Sequence, residues 1–224
     1  MSDRKLYPQV LLLVSLFASA WGCRGPSVRI DGVQIEEESD QIVSAVRVVE
    51  VSGLTDCLCG ATRAGHFGGV AVVVTKLLLQ CLPDRAYFGR KDYQQLMVVR
   101  RMVEDLNIPV DIRGIDTVRE ADGLAMSSRN WHLTESERAV APQLFGILTD
   151  IAETAGRGED VRSTIDRGLQ QLAKSGFGQV DYLEVRDAQT LELSHRPKRP
   201  ARAFAAVYLG KARLIDNVPV DTPG

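Results

Sequence analysis

The stretch that most limits what this chain can fold into is residues 85–115, where a short apolar segment, a glycine, an amphipathic pattern and a second apolar segment follow one another. Residues 85–88 read as a short inner strand ended by Gly89. From Asp92 onward, Leu96, Val99, Met102, Val103 and Leu106 recur at intervals of three and four. That spacing predicts a helix to about residue 106 with Arg100, Arg101, Glu104 and Asp105 on its outer side. Asp92 and Gln95 have the spacing of a capping box at its start. Pro109 closes the unit, residues 110–115 read as the next strand, and residues 117–119 continue extended. Two parallel strands need a crossover between them, so this order predicts a parallel sheet of the α/β class. It also puts the glycine turn at the corner where such folds face phosphate.

The flanking sequence fits the same class. Residues 70–81, between Gly68 and Gly69 on one side and Pro83 on the other, are apolar apart from Thr75, Lys76 and Gln80. Their valines suggest a strand, but about a dozen residues exceed a usual strand of about 5–6, so the run predicts a buried helix. Val46, Val48, Val49 and Val51 predict a strand, and residues 53–59 a loop or short helix. Residues 27–45, with Glu36, Glu37 and Glu38 in a row, read as irregular with a short strand at 28–30. Beyond residue 130, Thr134 and Glu137 form a second capping box opening a long helix to about 155, which Pro142 should bend. Residues 160–174 predict another helix, closed by Gly176. Residues 182–185, 203–209 and 212–215 predict strands, the last two joined through Gly210. The expected architecture is a partial Rossmann-like parallel sheet followed by a small α+β carboxy-terminal domain, divided as residues 1–45, 46–130 and 131–224.

A formal charge of -2 leaves no global positive field to hold a polyanion, which argues against nucleic acid as a partner. Cys23, Cys57, Cys59 and Cys81 are too few for a disulfide scaffold. With His66, His132 and His195 scattered, no second ligand pair stands at metal spacing, so no metal site is expected. Arg4 and Lys5 precede an apolar stretch at residues 6–20, followed by Trp21, Gly22 and Cys23. This pattern resembles a secretion or lipoprotein signal, or is sequence foreign to the rest of the chain; it is short for a membrane span, which takes about 20 apolar residues.

Two polar clusters could carry chemistry. Gly89, Arg90, Lys91 and Asp92 stand at the strand-to-helix turn, where amide groups and a lysine can hold a triphosphate; a turn with surface charges and an Asp cap is a common structural device and, for this cluster alone, the more frequent account. Met126, Ser127, Ser128, Arg129 and Asn130 place two hydroxyls and a guanidinium in one loop. They are suited either to phosphate oxygens or to capping the next helix.

In order, Ala86-Tyr-Phe-Gly-Arg-Lys-Asp-Tyr-Gln-Gln-Leu96 and Thr117-Val-Arg-Glu-Ala-Asp-Gly-Leu-Ala-Met-Ser-Ser-Arg-Asn130 closely resemble signature segments of the pantoate:β-alanine ligases. Gly60-Ala-Thr-Arg-Ala-Gly-His-Phe67 and Gly210-Lys-Ala-Arg-Leu-Ile-Asp-Asn217 extend the likeness, which covers residues 46–220. The resemblance implies a cytoplasmic, adenylate-forming ligase of the nucleotidylyl transferase superfamily. It would use ATP with Mg2+, join pantoate to β-alanine, and form a homodimer. It further implies that Gly89, Arg90, Lys91 and Asp92 contact ATP, and that Val118 binds adenine through its backbone. Met126, Ser127, Ser128 and Arg129 would form a mobile phosphate loop, with Lys91, Ser127, Ser128 and Arg129 as the catalytic set. Gln95 would hold pantoate, a role that competes with its reading as a capping residue, while Gln94 faces elsewhere. Arg63 and His66 would line the same region, His66 as a ligand or as a hydrogen-bonded structural histidine.

Three departures stand out. Arg90 occupies a position where the family usually has glutamate, and Ala64 one where it usually has proline. The family's histidine-containing loop has no counterpart, since no His-x-Gly-His or related pattern occurs before His66. Loss of such charge-stabilising donors costs about a hundredfold to a thousandfold each, which leads to an expectation of little ligase turnover by this chain alone.

Overall fold

The computed structural model describes residues 12–13 and 49–221. The short strand at 28–30, the signal-like stretch apart from residues 12–13, Cys23, and the Val46 and Val48 end of the next expected strand lie outside the described residues. Strand β1 (Leu12–Leu13) runs parallel to β2 (Arg85–Gly89), which pairs in parallel with β3 (Asp111–Ile115), so β2 is the inner strand. Helix α1 (Leu58–Thr62) and helix α2 (His66–Cys81) precede β2, and helix α3 (Tyr93–Asp105) makes the crossover to β3.

The run at 70–81 is helical because its length demands it, yet α2 begins earlier, at His66, and takes Gly68 and Gly69 inside. Only one of its faces is buried, by Phe67, Ala71, Val74 and Leu78, while Val73 and Leu79 are exposed. The strand expected at Val49 and Val51 does not form: residues 49–52 are irregular. Val51 is nonetheless buried, because side-chain packing satisfies its apolar surface without a neighbouring strand edge.

In α3 the periodicity holds for Leu96, Val99, Met102 and Val103, which are buried, but Leu106 is exposed beyond the helix end. The expected capping box at Asp92 is absent. A single 3-10 turn, Arg90–Asp92, precedes the helix, and the Asp92 side chain accepts nothing from the first turn. The 3-10 turn tightens the entry and removes the geometry a capping box needs.

The carboxy-terminal half is an antiparallel sheet, β4 (Val180–Asp187), β5 (Ala201–Leu209) and β6 (Ala212–Val220), with β5 in the middle. Each strand is longer than expected. The β5–β6 turn runs through Gly210 at φ 54°, where a Cβ would collide with the Glu137 carboxylate. The Thr134 capping box is complete: Glu137 N–H donates to the Thr134 hydroxyl and Thr134 N–H donates to the Glu137 carboxylate. Pro142 breaks the expected long helix rather than bending it, leaving α4 (Glu135–Val140) and α5 (Gln143–Gly156). Helix α6 (Arg162–Lys174) follows. Leu144, Leu148 and Ile151 pack against Ala203, Ala205 and Val207 of β5 and Leu172 of α6 in one apolar cluster, while α2, β2 and α3 share another. Among the described residues no helix is long and apolar enough to cross a membrane.

Candidate functional site

The inner strand β2 ends at Gly89, and the 3-10 turn lifts Lys91 out at the sheet's carboxyl edge. Strand β6 crosses beneath this turn and closes the other side. Between them lies a cleft of about 550 Å³, part of it open to solvent. Its walls carry Lys91, Asp92 and Gln95 from the turn and α3, Arg63 from the end of α1, His66 from the start of α2, Arg129 from the 3-10 turn before α4, and Arg213 from β6. Lys91, Ile215 and Asp216 also line an adjoining recess with Ser127 and Asn130. The two basic segments that looked independent in the sequence therefore face one space.

The charge of that space is largely positive. Lys91 is 3.7 Å from Asp92, and Arg213 is held by Asp181 at 2.7 Å; Arg63 donates to His66 Nε2 at 3.2 Å. A guanidinium offers only donors, so Nε2 accepts and the ring proton sits on Nδ1. Burial, reinforced by the Arg63 charge, pushes the His66 pKa down from 6.5 to about 4. Burial also lowers Arg63. At Arg213 burial works against the charged form, but Cys59 and the hydrogen bond to Asp181 outweigh it and the pKa rises. The result is a neutral histidine among the cations Lys91, Arg63, Arg129 and Arg213, a surface suited to a multiply charged anion.

Several expected residues take other positions. Arg90 turns away from the cleft wall and pairs with Asp116 at 2.7 Å beyond β3. Val118 and Met126 are exposed and lie apart from the cleft lining, with Met126 N–H donating to the Val118 carbonyl at 2.9 Å. Ser127 accepts from Arg129 N–H at 3.2 Å and caps the 3-10 helix Ser128–His132, which the loop itself forms; the next helix, α4, is capped by Thr134 instead, and Arg129 faces the cleft. Gly89 ends β2 just behind the lining residues. Gln94, set aside in the sequence as facing elsewhere, is buried at the cleft floor, where its amide donates to the Leu54 and Cys57 carbonyls and accepts from Cys59 N–H. It ties α3 to the segment before α2 and leaves Gln95 as the amide available to a ligand.

Among the wall residues that the sequence did not mark as site residues are Tyr182, Arg213, Asp216 and Asn217, together with Cys59, which was weighed there only as a thiol. Cys59 Sγ stands 3.1 Å from the Tyr182 hydroxyl and 3.5 Å from Arg213 Nη1. Cys57 is set off from it, its thiol pKa pushed up by burial. The segment ending at Asn217 already carried the family likeness, but nothing in a strand pattern says which of its polar residues cross to the other sheet. Among the described residues no group of three His, Cys, Asp or Glu side chains gathers as a metal site.

The family model described as Pantoate-beta-alanine ligase matches residues 30–219. The chain belongs to the pantoate-beta-alanine ligase family. Within it, the chain is 56% identical over 173 residues to a pantothenate synthetase of Paramagnetospirillum magneticum, covering 77% of this chain and 61% of that protein. It is 50% identical over 172 residues to the pantothenate synthetase of Roseobacter denitrificans, again 77% and 61%. The chain thus spans about 61% of the length of the curated ligases it matches. Among solved structures, pantothenate synthetase from Thermus thermophilus aligns with a TM-score of 0.73 at 46% identity, covering 79% of this chain and 64% of that one. Pantoate-beta-alanine ligase from Francisella tularensis, complexed with beta-gamma ATP and beta-alanine, aligns at 0.62 and 32% identity, covering 79% and 59%. The ligase family's mixed fold, a parallel sheet joined to an antiparallel carboxy-terminal one, is the fold found here.

Proposed function

We propose that this chain binds ATP and pantoate in the cleft between Lys91 and Arg129 and carries the adenylate-forming chemistry of a pantoate–β-alanine ligase. The observation that supports it most is the convergence of Lys91, Arg63, Arg129 and Arg213 on one cleft that also presents the Gln95 amide. The triphosphate would lie against Lys91 and Arg129, with Ser127 and Ser128 in the adjoining loop. A pantoate oxygen attacks the α-phosphorus, the bond to the β-phosphate breaks, and pyrophosphate leaves. The β-alanine amine then attacks the acyl carbon, AMP departs, and the nitrogen loses a proton. Cations already fixed around the phosphates stabilise the charge that moves to the leaving oxygen, without reorganising during the step.

Mg2+ would enter with the triphosphate, whose oxygens supply most of its ligands. Of the carboxylates on the wall, Asp216 is held by two hydrogen bonds from Arg119, whereas Asp92 has only the longer 3.7 Å ion pair with Lys91, so Asp92 would be the freer of the two for that ion. The same reading takes residues up to about 130 as the nucleotide-binding unit and those beyond as a second unit; each has its own large apolar cluster, Leu124 packs with the second, and a small cluster of Leu58, Leu191 and Phe204 joins the two. That reading also makes the protein a cytoplasmic enzyme, where ATP is at hand, and a homodimer.

Calorimetric titration with ATP, then with pantoate, tests the reading, alongside the assay of pantothenate from pantoate, β-alanine and ATP. ATP binding that weakens about tenfold or more in Lys91→Ala is the expected result. A folded protein that takes up neither ligand would overturn it. A nucleotide-binding chain without turnover is the second reading, favoured by one observation: among the described residues the only histidine on the cleft wall is His66, held neutral.

A further inference from the structure

Asn217 and Asp216 are neighbours on β6, and both are almost wholly buried. A buried amide and a buried carboxylate side by side are costly unless every donor and acceptor is used. Here the partners are the two segments that carry Lys91 and Arg129, together with Arg202 of β5, which holds the Asn217 amide. The Asn217 amide nitrogen donates to the carbonyls of Arg90 and Lys91 at 2.9 and 2.8 Å, which uses both of its protons. Its amide oxygen accepts from Arg202 Nε at 2.6 Å, which fixes which end of the amide faces the turn. Its backbone N–H donates to Asp216. Asp216 in turn accepts two bonds from Arg119, at 2.7 and 3.0 Å. Arg119 also donates to the Gly123 carbonyl at 3.0 Å and bridges in antiparallel fashion to Ala125, at the root of the loop that leads into Ser127 and Arg129.

Two successive carbonyls gripped by one amide set the direction in which the Arg90–Asp92 turn points, and Lys91 projects from that turn. A bidentate guanidinium–carboxylate pair fixes orientation as well as position. One strand thus holds, through adjacent residues, the two segments whose cations must meet. We propose that Asn217 is a positioning residue for Lys91, and that Asp216 plays the same part for the Ser127–Arg129 loop through Arg119. Neither needs to touch the ligand. The inference rests on the reading that ATP lies between Lys91 and Arg129.

The test is a double-mutant cycle read by ATP titration on the full chain: wild type, Lys91→Ala, Asn217→Asp and the pair. Asn217→Asp keeps the shape but turns oxygens toward two carbonyls, so the turn must move. ATP affinity is expected to fall about tenfold in the wild-type background and to change little more once Lys91 is gone. An equal loss in both backgrounds would show that Asn217 acts on the fold at large, and an unchanged affinity in Asn217→Asp would show that it does not act on the site; either overturns the inference while leaving the ATP reading intact. If Lys91→Ala itself leaves ATP binding untouched, the ATP reading has failed and the inference with it. Should Asn217→Asp not fold, Asn217→Ser, smaller and uncharged with a single donor, takes its place in the same cycle.

Discussion

His66 should make the stability of this protein depend on pH in a way that a glutamine in its place would not. Its folded pKa is about 4 against an ordinary 6.5, through burial and then the Arg63 guanidinium. Between those values the unfolded chain binds a proton that the folded chain refuses, so stability rises with pH there. It is fully present above about pH 6.5 and is lost progressively as pH falls toward 4. Linkage applied to that shift gives roughly 2 kcal/mol between pH 7 and pH 5 for a fully shielded group. The ring is only partly buried, so solvent screening reduces this to about 1 kcal/mol. Urea unfolding of wild type and His66→Gln at both pH values isolates the effect, since every other titrating group cancels in the difference. Wild type should lose about 1 kcal/mol more than His66→Gln on going from pH 7 to pH 5. An equal loss in both proteins would mean that His66 is solvated and that its contact with Arg63, 3.2 Å apart, has no electrostatic consequence.

Other outcomes follow from the packing. Leu148, fully buried against the carboxy-terminal sheet, should cost about 3–5 kcal/mol when changed to Ala, read by denaturant unfolding. Gly210→Ala should cost more than about 1 kcal/mol, because the added Cβ both strains a positive φ and strikes the Glu137 carboxylate; a neutral result would show that this turn relaxes freely. Arg138 bridges Glu120 and Asp122 at the base of the Ser127 loop, and its side chain is about a third exposed. Arg138→Ala should therefore speed amide exchange across residues 119–126 while changing global stability by about 1 kcal/mol or less.

The parallel sheet was legible because its signals are local. Strand β2, its terminal glycine and the apolar stripe of α3 lie consecutively in the chain, and a crossover is the only way to join parallel strands. The Thr134 capping box was legible for the same reason, and Gly210 announced its turn. The capping box at Asp92 and the strand at Val49 and Val51 had equally good local patterns and did not form, because the 3-10 turn and the packing of Val51 were decided by neighbours far along the chain. Local patterns along the chain were enough to assign the class of fold, and the family resemblance they carried marked Lys91, Gln95 and Arg129 as the groups a phosphorylated ligand would meet. Tertiary structure alone decided that they meet each other, that Arg90 turns to Asp116 instead, and that Arg213 and Asn217 join them from the second sheet. Arg90 and Asp116 are 26 residues apart and Asn217 reaches Lys91 across 126, separations at which periodicity and turn chemistry carry no information and only the packing of one sheet against the other can bring charges together.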